Sequence, residues 1–191
     1  YIDARSGASL TVAPGGSVAC SQVRITSGTV SLTGTFDCEV RLRSQSSSVT
    51  LTPGGDLTVT DKFWFDSYYN GRTITLDNSG NYDITFTGDV DCSSTYTTAW
   101  TPGTTGSIIF DGTGDQSVDL NDLSVDAIQV TKTAGTLTFT DGFTCQGFEV
   151  TSAQDGTVDF NDQSVVIEGD ATFDGGGTVL CGSGTIEVGG N

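Results

Sequence analysis

Apolar and polar residues alternate with a period of two along most of this chain. In FDCEVRLR, Phe36, Cys38, Val40 and Leu42 fall on one side and Asp37, Glu39, Arg41 and Arg43 on the other. The same rhythm runs through Leu57 and Val59, Phe63 and Phe65, Ile74 and Leu76, Ile84 and Phe86, and Leu137 and Phe139. This is the pattern of short strands with one buried face. No stretch shows a convincing helical period. Glycines and turn pairs such as Asn70-Gly71, whose residues tolerate positive φ, separate the strands.

From Gly135 onward the units become regular. Gly135, Gly156 and Gly177 each open a Gly-Thr-aliphatic phrase, and each step is 21 residues. A fixed period near twenty predicts stacked coils rather than an ordinary globular core. The expected fold is all-β: a right-handed parallel β-helix (β-solenoid) of roughly nine coils, on the order of 45 Å long at about 4.8 Å per coil. Residues 1–191 then form one domain, with an irregular loop at 93–105 (SSTYTTAWTPGTT) that fits no unit. Tandem antiparallel β-sandwiches are the alternative, and they explain the strands and turns but not the repeated phrase.

Charge narrows the partners. Seven basic residues stand against 24 acidic ones, net −17, spread along the chain rather than held in a tail. Such a surface repels nucleic-acid phosphates and anionic lipid, so neither is an expected partner. No apolar run is long enough to span a bilayer, and no membrane insertion is expected. Asn191 follows a complete Gly-Thr-Ile-Glu-Val-Gly-Gly phrase with no polar cap. The ladder is therefore expected to continue, into adjoining repeats of a longer chain or end to end against another copy.

The phrases SIIFDGTGDQSVDLNDLSVDAIQVTKTAGTLTF and TVDFNDQSVVIEGDATFDGGGTV resemble repeat segments of parallel β-helix proteins of the bacterial surface adhesin or phage tail-fibre type. The shared step falls on Phe110, Gly112, Gly114, Gln116 and Val118. The likeness covers residues 106–190, and residues 1–92 only in rhythm. It implies an extracellular or cell-surface location, or alternatively a virion tail fibre, and it transfers no catalytic residue.

Candidate chemistry is sparse. Arg24, Arg41 and Arg43 with Asp37 and Glu39 form an outward charged patch; polysaccharide-cleaving β-helices use such a face with carboxylates as acid and base, but a ladder of cross-strand charge pairs is the favoured reading. Trp64, Tyr68, Tyr69, Tyr96 and Trp100 are candidates for stacking on a cell-surface glycan, unless Trp100 folds back over Trp64 as a satellite cluster. Asp111 and Asp115 bracket a turn that could contribute oxygens to calcium, the one cofactor considered, although Asp and Gly are ordinary turn formers. Cys20 and Cys38 occupy matching places in successive coils, at a spacing a disulfide accepts, and equally suit a core of small hydrophobes. Cys145 and Cys181 are expected as buried thiols. The Thr-x-Thr pairs (Thr50/Thr52, Thr58/Thr60, Thr73/Thr75, Thr85/Thr87, Thr136/Thr138) resemble an ice-binding face, and threonine is also simply favoured in solvated strands. No compact set of acids and bases lies in register beneath long loops. The expected function is therefore non-enzymatic, an extracellular shaft, spacer or adhesive rod; the alternative is a carbohydrate-binding or polysaccharide-cleaving β-helix.

Overall fold

Strands of two to seventeen residues joined by turns, with no helix, make up the described residues of the computed structural model, which are 1–13, 15–45, 47–67 and 70–190. Every strand pairing among them is parallel. The chain is a parallel β-solenoid of about nine turns, and antiparallel sandwiches are excluded.

Each turn visits three faces. The first face stacks Ile2–Ala4, residues 23–25, residues 40–44, Phe63–Ser67, Val90–Asp91, Gln116–Asp119, Thr136–Phe139, Thr157–Asp159 and Thr178–Leu180. The second runs from Ser9–Thr11 through Ile74–Asp77 and Thr98–Thr101, and resumes in Ser124–Val125, Phe143–Cys145, Val165–Ile167 and Ile186–Val188. The third runs from residues 17–19 through Ile84–Phe86, Ser107–Phe110, Ala127–Val130 and Phe148–Val150 to Ala171–Phe173.

The period-two pattern sends one residue in two inward, so like side chains meet along the axis. Phe63, Phe86, Phe110, Phe139 and Phe160 form a ladder with ring centroids 5.1, 6.2, 5.9 and 5.5 Å apart in that order. Fully burying each such side chain contributes about 1.5–3 kcal/mol, which lets a core this thin hold without helices.

The repeated glycines have a steric cause. A Cβ on Gly156 would lie 2.6 Å from the Gly135 carbonyl oxygen, and one on Gly177 would lie 2.1 Å from that of Gly156. The next residues tie these turns together, Thr157 N–H donating to Gly135 O at 2.8 Å and Thr178 N–H to Gly156 O at 3.0 Å. The 21-residue phrase is thus a column of close backbone contacts.

Two expectations are corrected. Within 93–105, Thr98–Thr101 is a strand in register with Ile74–Asp77, and Trp100 stacks inward on Leu76. Its pattern is short and Thr-rich, which hid it from a search for alternating aliphatics. The charge is also not evenly spread. Residues 1–72 hold Arg5, Arg24, Arg41, Arg43, Lys62 and Arg72 against six acids, whereas Lys132 alone faces the eighteen acids of residues 73–191. The early turns are neutral and the later turns carry the whole excess.

Candidate functional site

The charged and aromatic side chains collect on the early half of the first face. Strand alternation there points residues 24, 41, 64 and 91 outward in one column, since Arg24 pairs with Arg41, Arg41 with Trp64, and Trp64 with Asp91. Asp3 precedes this column and Asp119 follows it. Gln22, Glu39 and Lys62 flank it on one side, and Arg43 and Asp66 on the other.

Across turns these groups satisfy one another. Asp66 accepts from Arg41 and lies 3.3 Å from Arg43 Nε; Lys62 Nζ donates to Asp91 at 2.8 Å. Glu39 accepts from Gln22 and from the Trp64 indole N–H. The Arg41 guanidinium sits 3.9 Å from the Trp64 ring centroid and Lys62 Nζ sits 5.1 Å from it, so the ring already makes cation–π contacts within the column. At the rim, Arg24 lies over the Tyr1 ring at 4.9 Å.

Two carboxylates in this column are pushed apart in acidity. Burial tends to raise Asp91, but hydrogen bonds from Lys62 and Ser93 and the Lys62 charge hold it below the usual carboxylate value. Asp119, paired with it on the next turn, is raised, by burial first and then by Asp141, Asp91 and Asp122. Lys62, Asp89, Asp91, Ser117, Asp119 and Thr140 line a shallow depression of about 150 Å³ here. A second, of about 130 Å³, runs beside Trp64 and Asp66 to Thr95. Both are smaller than the roughly 300–1,000 Å³ of an ordinary small-molecule pocket, whereas a depression of about 420 Å³ beside Tyr1, Gln22, Arg24 and Glu39 falls within that range.

The other candidates fall apart as a group. Trp100 is only 6% exposed and lies inside the second face, so it neither stacks on a ligand nor covers Trp64. Its indole N–H donates to Asp126 Oδ2 at 2.7 Å. Tyr96 is half-buried, and Tyr68 and Tyr69 lie outside the described residues. The turn between Asp111 and Asp115 already faces a cation: the buried Lys132 ammonium donates to Gly114 O at 2.7 Å and to Gln116 Oε1 at 3.0 Å. Burial lowers the Lys132 pKa, against the pull of Asp111 and Asp115. Among the described residues no group of three or more His, Cys, Asp or Glu could hold a metal.

Cys20 Sγ and Cys38 Sγ are 3.0 Å apart; Cys145 is buried, whereas Cys181 is exposed, contrary to expectation. The threonine pairs do not make one plane. Thr50 and Thr75 stack on the second face, Thr58 and Thr85 on the third, and Thr136 belongs to the first.

Sequence reasoning missed the buried network around Asp126. Its carboxylate accepts from Trp100, from Gly103 N–H at 2.6 Å and from Asn78 Nδ2 at 3.1 Å, which binds three successive turns at one corner. Burial raises the Asp126 pKa against the pull of these donors. An aspartate amid small residues carries no periodic signal to mark it.

Compared with known proteins, the chain matches no family model, no curated protein and no solved structure.

Proposed function

We propose that this chain is a non-enzymatic structural rod, a shaft, spacer or adhesive module of an extracellular or cell-surface protein or of a virion tail fibre. The observation that supports this reading most is the mutual pairing of outward charges across turns on the first face: Arg41 and Arg43 with Asp66, Lys62 with Asp91, and Glu39 with Trp64. Groups spent on holding coils together are not aimed at a ligand. On the last turns Phe173, Leu180 and Val188 are 45%, 46% and 42% exposed. Negative-stain images at rising concentration test the reading. Rods of constant width, single or joined end to end, are expected; compact, irregular particles would contradict it.

A second reading has its own support, the opposed acidities of Asp91 and Asp119 beside Lys62. One carboxylate held ionised and one held toward its acid form is the arrangement that glycoside cleavage uses. Release of reducing ends from a panel of polysaccharides, abolished in Asp119→Asn, would establish this activity; no release by the wild type would dismiss it.

A further inference from the structure

Cys20 and Cys38 belong to neither reading, yet their placement is specific. Ala19 pairs with Asp37 and Gln22 with Glu39, so Cys20 and Ser21 share the single position opposite Cys38. A two-against-one bulge bends a strand and re-aims its side chains. Here it lies where the chain turns from the third face to the first. Ser21 is left exposed, while the Cys20 side chain, half-buried, is brought to 3.0 Å from the Cys38 sulfur, which is buried. The other three cysteines, Cys92, Cys145 and Cys181, lie on later turns.

We propose that Cys20 and Cys38 form a disulfide that staples the first turn of the solenoid to the second. The turn that carries Cys20 is the less buried of the two. Ile2, Leu10, Val12 and Val18 are only partly buried, and the strands Ile2–Ala4 and Ser9–Thr11 are each paired on one side. A solenoid holds each turn through its neighbours alone, so a covalent bond to the better-buried turn should slow the opening of the less-buried one. The bond crosses from that turn to one whose residues Val30, Leu32 and Phe36 are fully buried.

The chemistry is an exchange with a small disulfide such as oxidised glutathione. The Cys20 thiolate, on the accessible side, attacks one sulfur of the oxidant, whose S–S bond breaks and releases one thiolate. The Cys38 thiolate then attacks Cys20 Sγ in the mixed disulfide and expels the second thiolate. Two protons and two electrons leave the protein, and one oxidant becomes two thiols. Burial first, and then the hydrogen bond with Cys20, pushes the Cys38 thiol up to about 12, so closure speeds up as pH rises.

The purified chain, reduced and then treated with oxidised glutathione, is denatured, alkylated and weighed. A Cys20–Cys38 crosslinked peptide should then appear, with neither cysteine alkylated or carrying glutathione whatever adduct the exposed Cys181 takes, and closure should be faster at pH 9 than at pH 7. In Cys38→Ser the glutathione adduct should remain on Cys20 with no internal bond. Cys20 and Cys38 both alkylated in the oxidised wild type, or an internal bond persisting in Cys38→Ser, would overturn the pairing. Hydrogen exchange needs no variant: amides of residues 9–11 and 17–19 should exchange about tenfold more slowly when oxidised and recover on reduction. Equal rates in the two forms would overturn the stapling role.

Discussion

Asp126→Ala is the most informative single substitution, because Asp126 holds three turns through one carboxylate. Its removal leaves the Trp100 indole N–H and the Gly103 backbone N–H without an acceptor, while Asn78 Nδ2 keeps Tyr82 O at 2.9 Å. Each buried donor left unpaired costs about 1–3 kcal/mol, so the loss should be about 2–6 kcal/mol. At about 2–4 °C per kcal/mol for a chain of this size, a mid-range loss of about 4 kcal/mol lowers the melting temperature by roughly 8–16 °C. Denaturant unfolding followed by circular dichroism measures the loss, and quenching of Trp100 fluorescence in a Trp64→Phe background reports whether the indole becomes accessible. A double-mutant cycle with Trp100→Phe isolates the shared bond, with about 1–3 kcal/mol of coupling expected. A change below about 0.5 kcal/mol, with no coupling, would refute the claim that this carboxylate anchors the corner.

Other substitutions test separate parts of the account. Asp126→Asn should flatten the pH dependence of stability. A carboxyl raised in the fold contributes stability that is complete below its unfolded value near 3.8 and is lost as pH rises through the folded value. Melting temperatures across that window should therefore fall less steeply in the variant, and parallel profiles would contradict this. Gly156→Ala should cost about 1–3 kcal/mol, because its Cβ meets the immobile Gly135 carbonyl; a melting temperature equal to wild type would show that the glycine column is not a close contact. Lys132→Met should destabilise by about 1–2 kcal/mol by leaving Gln116 Oε1 without its donor, and millimolar calcium should not move the wild-type melting temperature. A rise with calcium would return Asp111 and Asp115 to the list of metal ligands.

The solenoid was legible because the information that specifies it is local and repeated. Alternation in residues 36–43 assigned each side chain to a side, and the spacing of Gly135, Gly156 and Gly177 supplied the stacking register. Outward positions such as Arg41 and Trp64 followed directly. What they touch did not, because the contacts run between residues 23 to 29 apart, as from Arg41 to Asp66 or from Lys62 to Asp91, and the coil lengths vary there. Trp100 was misplaced for the same reason: its strand departs from the regular phrase and is recognised only by pairing with Ile74–Asp77. The Lys132 ammonium beside Asp111 and Asp115 likewise required knowing which turn lies next to which.

Distances along one outer column test the stacked coil most directly. On the third face, Thr85, Gln129 and Thr172 occupy equivalent outward places on the fourth, sixth and eighth turns. Spin labels carried on non-cysteine side chains at Thr172 with Gln129, and at Thr172 with Thr85, should give backbone separations of about 10 and 19 Å, one strand spacing of about 4.8 Å per turn. Equal separations for the two pairs, or a Thr85–Thr172 separation shorter than that of Gln129–Thr172, would contradict the solenoid.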